Sequence, residues 1–265
     1  MSKKFENGLF IFRRDLRIID NVTLNLLHKK CKNIYTVFIF TPEQVGKNNK
    51  FKSDNCVQFM IDSLEDLETE IKDNGGKLYF FFGDNNKIIE KCIEDFNINI
   101  VGFNLDITPY AKKRDNNIIN LSKNIGIEVI YDYDYYLFKP REILTGNDEP
   151  YQKYTPFYQK AVKKNIPAPE NKKNFKKSNN SSSDRIELKD AIKKFIKKIN
   201  NDILLIGGRK EALKTIKKAV ETQKNYDKTR NTLIKNTSLL SPYIKFGCIS
   251  IREVFSEFKE NKELL

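Results

Sequence analysis

The chain has 265 residues, 48 Lys and Arg against 35 Asp and Glu, and a net charge of +13, a size that suits one large domain or two smaller ones with a real core. It lacks the apolar run of about 18 residues that a membrane helix needs, and its opening MSKKFENG has no apolar signal core, so a soluble intracellular chain is expected. Cys31, Cys56, Cys92 and Cys248 form no C-x-x-C pair and His28 is the single histidine, which leaves no basis for a zinc site, a disulfide framework or imidazole chemistry.

From the N-terminus, two periods alternate. Residues 8–12 form a short apolar run and 21–30 are helix-like. Residues 34–40 (IYTVFIF) are continuously β-branched and aromatic. Over 54–73, Val57, Ile61, Leu64, Leu67 and Ile71 recur at helical spacing, and Gly75 and Gly76 end the pattern. Residues 78–82 (LYFFF) are strand-like, 86–96 helical and 98–103 strand-like. Thr108 and Pro109 supply a hydroxyl cap and a first-turn proline for a helix to about 124, stopped by Gly126. Residues 127–131 make a fifth strand. Strands that are apolar throughout are buried on both faces, and strands separated by helices form a parallel sheet. The expected fold is therefore α/β, a five-stranded parallel Rossmann-like sheet flanked by helices over 1–133.

Beyond 133 the alternation stops. Residues 134–158 are rich in Tyr and Phe. Residues 165–183 are polar and rich in Lys, Asn and Ser, which predicts a linker that is partly disordered, and a lysine-rich helix is expected over 185–199. A connector and linker is thus placed at 134–206 and a short, incomplete all-α segment at 207–265. There Leu213, Ile216 and Val220 share one helical face. Ser241 and Pro242 read as the cap and first turn of a short helix ended by Gly247, and Ser250-x-x-Glu253 reads as a capping box.

Charge is unevenly spent. Lys, Asn and Ile are all abundant, so much of the positive charge is compositional, compatible with a polyanion partner without requiring one. Arginine is scarce, with 9 against 39 lysines, yet Arg13, Arg14 and Arg17 crowd into RRDLR directly after the first strand. Binding loops of a parallel sheet lie at the carboxyl ends of its strands. Guanidinium groups pair there with carboxylates or phosphates. Two readings stay open on chemistry alone. The arginines form a salt-bridge network pinning the loop, with Asp15 holding one of them and Asp20 or Asn21 capping the next helix, or they hold an anionic ligand. Neither G-x-G-x-x-G nor G-x-x-x-x-G-K occurs.

The run FRRDLRIIDN resembles the opening signature of the DNA photolyase/cryptochrome family. NLDITPYAKKRD, YQKYTPFY, Gly207-Gly208-Arg209 with Ala212-Leu213, Tyr226-x-x-x-Arg230 and TSLLSPYIKFGCISIR are similar, in order, to later segments of that family. The resemblance implies an N-terminal antenna domain, a long interdomain linker and the start of a helical FAD-binding domain. It makes the three arginines mostly scaffold. It places Tyr226 near the flavin and Thr237, Ser238, Leu239, Leu240 and Ser241 on its phosphates, in keeping with hydroxyl and free N–H groups at a helix start, and it brings Arg230 toward DNA phosphate. An Asn-Glu pair that holds a folate antenna in some members is replaced by Tyr110 and Ala111, so the antenna chromophore is of unknown type: deazaflavin, another flavin or none.

In the family the helical domain continues for about as long again and carries tryptophans that relay electrons; this chain has no Trp. The resemblance therefore implies the N-terminal portion of a cyclobutane pyrimidine dimer photolyase, a carbon–carbon lyase of DNA repair. It contains no catalytic residue of its own, is inactive alone, and acts on damaged DNA once a separate C-terminal half completes it. The alternatives are a cryptochrome-like light-signalling flavoprotein fragment or a non-photochemical α/β nucleotide-binding remnant. A packing argument accompanies this reading. Some sixty residues in short helices cannot bury Leu213, Ile216, Val220, Leu233, Leu240, Tyr243, Val254, Phe255 and Phe258 against one another, so these faces are expected to need a partner.

Overall fold

The computed structural model describes residues 4–170, 175, 185–229, 231–232, 234 and 237–260. The α/β unit runs β1 (Phe5–Phe12), α1 (Val22–Lys30), β2 (Cys31–Phe40), the one-turn α2 (Pro42–Val45), α3 (Asp54–Asp73), β3 (Leu78–Phe82), α4 (Asn85–Asp95), β4 (Ile100–Leu105), α5 (Pro109–Asn124) and β5 (Glu128–Tyr133). Its five strands are all parallel, in the order β3-β2-β1-β4-β5. The expected sheet is present, with β1 and β2 starting earlier than the apolar runs alone indicated.

Alternation explains those runs. Phe10, Phe12, Phe38 and Phe40 point to the face covered by α1 and α3, while Leu9, Ile11, Tyr35 and Val37 point to the face holding Ile89, Cys92, Phe96 and Ile118 of the α4 and α5 side. Both faces are covered, so both sets of alternate residues are apolar. The helix starts follow local chemistry. The side chains of Asn21, Asp84 and Thr108 accept from the N–H groups of Leu24, Lys87 and Ala111. Asn21 rather than Asp20 therefore caps α1.

The connector carries α6 (Tyr154–Ala161) and α7 (Leu188–Phe195). Residues 171–174 and 176–183 of the expected linker lie outside the described residues. The described remainder is held: Phe175 is buried against the edge of the His28 ring at 5.1 Å, and Glu170 exchanges hydrogen bonds with Asp20. Ile186 bridges the outer edge of β3 through Phe80, which blunts an otherwise unpaired strand edge. α7 is shorter than the expected 185–199 helix, because Ile196 is already extended.

The remaining helices are α8 (Arg209–Thr222), the one-turn α9 (Tyr226–Thr229), α10 (Ser241–Phe246) and α11 (Ile251–Glu260). The capping box is realised: Glu253 N–H donates to Ser250 Oγ at 2.9 Å and Ser250 N–H to Glu253 Oε2 at 2.8 Å. Ser241 does not cap α10. Leu240 holds the cap position in helical backbone without a side-chain bond, and Ser241 and Pro242 are the first helical residues. The expectation that these helices lack a surface to pack on is also corrected. Ile216, Leu240 and Tyr243 are buried with Phe59 of α3, so the α/β unit supplies the missing wall; Leu233 lies outside the described residues. No helix among the described residues is long and apolar enough to cross a membrane.

Candidate functional site at the sheet carboxyl ends and the helical seam

RRDLR sits where the α/β unit meets α10. Asp15 does not hold a guanidinium. It accepts from the Arg13 N–H at 2.7 Å and from the Asn104 amide at 2.6 Å, so it shapes the loop. The arginines reach outward. Arg14 Nε donates to Lys245 O, Leu16 N–H to Phe246 O and Arg17 Nη1 to Gly247 O, each at 3.1 Å. The loop thus satisfies three carbonyls at the C-terminal end of α10, the end that attracts positive charge.

Behind this clamp lies a buried network. Arg17 Nη2 meets Asp134 Oδ2 at 2.6 Å, and Arg252 of α11 meets Asp134 Oδ1 and Asp20 Oδ2, both at 2.8 Å. Burial by itself would raise the Asp134 carboxyl, but Arg17 and Arg252 outweigh it and hold it below the usual carboxylate range. Glu253 moves the same way: burial raises it, and the two bonds from Arg209, at 2.6 and 3.0 Å, prevail. Asp15 is raised, chiefly by burial. Native carboxyls held low contribute stability that is complete above their unfolded values, about 4, and is lost as pH falls through the depressed native values. The raised Asp15 has the opposite sign: its penalty at neutral pH is relieved on acidification. Urea midpoints followed from neutral to acid pH should therefore fall below about pH 4, and the fall should be shallower in Asp134→Asn.

A second set of contacts runs along α3. Asp54 accepts from the N–H groups of Lys197 and Lys198, Gln58 from Asn200, Ser63 from Gly208 and Asp66 from Lys210. At near four-residue spacing these side chains form a polar rail that carries the chain from α7 to α8 and caps α8 from outside. The close fit requires Gly207, where a Cβ would meet Phe59 O at 2.0 Å.

At the carboxyl ends of β1, β2 and β4 opens a cleft of about 310 Å³, lined by Arg13, Arg14, Thr41, Asp106, Tyr110 and Lys245 among others. It lies at the switch in strand order, where open α/β sheets bind ligands. Arg14 pairs with Asp106 at 2.7 Å. Arg13 pairs with Asp115 at 2.6 Å and lies over the Phe103 ring at 4.3 Å, but its Nη2 is buried with no partner among the described residues. Burial and then the neighbouring Arg114 lower the Arg13 guanidinium to about 10. A buried guanidinium with one amino group unmatched favours an incoming anion.

The other sequence-derived residues lie apart from this cleft. Tyr226 opens α9 and is about half exposed; Thr237 and Ser241 are exposed, Ser238 and Leu239 half-buried. Leu240 packs with Ile216 and Ala219 of α8. Leu239 has φ 55, a backbone conformation that costs a non-glycine residue roughly 1–2 kcal/mol. Arg230 lies outside the described residues. Sequence reasoning missed the pairing of Asp20 with Arg252, and it missed Asp134 and the α3 rail altogether. Arg252 carried the same signal as RRDLR, an arginine in a lysine-rich chain; the rail reads in sequence as a solvated stripe.

The DNA photolyase family model matches residues 9–173. The chain belongs to the DNA photolyase family. It is 26% identical to a (6-4)DNA photolyase of Arabidopsis thaliana over 92% of this chain and 48% of the relative. It is 28% identical to an uncharacterised 31.6 kDa protein of Synechococcus over 94% of this chain and 87% of that protein. Among solved structures, an archaeal photolyase from Sulfolobus tokodaii superposes with a TM-score of 0.76 at 30% identity, over 97% of this chain and 57% of the other. That crystal structure contains two FAD molecules and implicates a novel light-harvesting cofactor. The chain spans about half the length of the photolyases and cryptochromes among its curated relatives. Within the family frame, the arginine clamp is the joint between the α/β unit and the helices that follow it.

Proposed function

We propose that this chain is the antenna and leading flavin-domain portion of a cyclobutane pyrimidine dimer photolyase, completed by a second polypeptide that supplies the rest of the flavin domain. One observation carries this reading: the clamp and buried network seat α10 and α11 rigidly on the α/β unit, while Thr237, Ser238 and Ser241 keep their hydroxyls exposed or half-exposed beside that joint. These hydroxyls and the Tyr226 ring suit the phosphates and one side of an FAD, and the described residues offer one wall rather than an enclosure. When bound, a reduced flavin supplies the photoexcited electron that opens a cyclobutane ring. The chain's own residues orient it and hold the joint. The assembled protein takes damaged DNA with the lesion turned out of the stack, with Arg230 assigned to its phosphates by the family resemblance alone.

The cleft at the strand ends is the antenna site in this reading. The unmatched Arg13 Nη2 favours a phosphate-bearing flavin or an anionic deazaflavin, and Tyr110 and Ala111 offer no amide and carboxylate pair to a folate. The test is expression of the chain alone and with the neighbouring reading frame, followed by flavin absorbance and light-dependent repair of dimer-containing oligonucleotides. Substoichiometric flavin and no repair alone, with both restored in the complex, are expected. Repair by the lone chain would sink the two-chain reading, and flavin binding without repair in the complex would favour cryptochrome-like signalling. Arg13→Leu should abolish antenna absorbance while leaving repair under direct flavin excitation.

A further inference from the structure

A cationic face remains that none of these roles uses. Phe51 is 96% exposed, the most exposed large apolar side chain among the described residues, and it stands between Lys50 and Lys52. Lys52 Nζ donates to Phe195 O at the end of α7, and Asp54 accepts from the N–H groups of Lys197 and Lys198. These contacts bring the 50–54 loop onto the 195–198 turn, so Lys50, Phe51, Lys197 and Lys198 lie on the surface around this junction. The three exposed lysines have no carboxylate partner among the described residues. Asp54 is already engaged by Lys52 and by backbone N–H groups.

We propose that this face, built from the 50–54 loop and the C-terminal end of α7, is an auxiliary contact for single-stranded or unpaired nucleic acid, with the lysines on phosphates and Phe51 stacked on a base. Unpaired lysines beside a free aromatic ring give the combination that binds nucleic acid strands without sequence preference. An anionic membrane surface fits less well. α7 turns its apolar residues Leu188, Ala191 and Phe195 into the core, so no apolar helix face is left to insert. The inference extends the proposed repair role but does not depend on flavin, so it is read in the dark.

The experiment is fluorescence anisotropy of a labelled oligothymidylate and a matching duplex with the full chain, at several salt concentrations. A K50E/K197E/K198E variant should bind the single strand at least about tenfold more weakly, with a log–log salt slope shallower by about one per lysine. Phe51→Ala should lower single-strand affinity more than duplex affinity, without changing the salt slope. All four positions are on the surface, and circular dichroism checks that folding is unchanged. Equal affinity of the triple variant and the parent would overturn the proposal. So would binding to phosphatidylserine vesicles with none to oligonucleotide. Loss of flavin uptake or repair in the two-chain assay would defeat the repair reading but leave this measurement intact.

Discussion

Asp134→Asn should lower the unfolding free energy by about 3–5 kcal/mol, the cost of leaving buried charge without its counterion. Asp134 is fully buried and shares its two carboxylate oxygens between Arg17 and Arg252. Asparagine keeps the shape but removes the charge, and one oxygen becomes a donor facing a guanidinium. Both cations then sit in a poorly solvated site balanced by backbone carbonyls, Asp20 and the more distant charge of Glu253. Urea unfolding at neutral pH measures the loss. Replacing Asp134, Arg17 and Arg252 with apolar residues and Asp20, the other carboxylate paired with Arg252, with Asn should cost less than the single change, because no buried charge is then stranded. A shift under about 1 kcal/mol for Asp134→Asn would mean that water reaches the network and that it behaves as a surface ion pair.

Gly247→Val should separate the helices from the α/β unit without unfolding the sheet. Gly247 ends α10 at φ 69, and a Cβ there would come within 2.1 Å of Arg14 O and 2.5 Å of the Asp15 Cα. The obstacle is backbone on both sides, so neither a rotamer change nor a flexible side chain can relieve it. A β-branched residue adds the left-handed backbone penalty of roughly 1–2 kcal/mol, and the clamp bonds from Arg14, Leu16 and Arg17 cannot form at the displaced carbonyls. Amide hydrogen exchange should accelerate across 241–258 while the central strands β1 and β4 keep their protection. In the two-chain assay the same variant should lose flavin uptake. Unchanged exchange at the seam would show that the helices are held by the α3 contacts alone.

Seating of the helices on α3 changes how their apolar faces are understood. Counted along the sequence, the last sixty residues are too few to bury Ile216, Leu240 and Tyr243 against one another, and the packing argument assigned their faces to a partner. Phe59 answers them: its ring centroid lies 5.2 Å from those of Tyr243 and Phe246. α3 is covered on one side by the sheet and on another by the helical segment, and a helix with two buried faces shows in sequence only the stronger periodicity. Leu213, Tyr226 and Ile234 remain exposed.

The sequence by itself determined the sheet, its parallel sense and the start and stop of α5, because each rests on short-range chemistry: apolar runs, the cap at Thr108 and the stop at Gly126. It also disclosed the family through RRDLR and TSLLSPYIKFG, and it marked arginine as the residue to watch. Only the tertiary structure decided what those arginines do. Their partners, Asp106, Asp115 and Asp134 and the carbonyls of 245–247, lie about a hundred to more than two hundred residues away along the chain, and no local pattern records which distant carboxylate or helix end a guanidinium will meet.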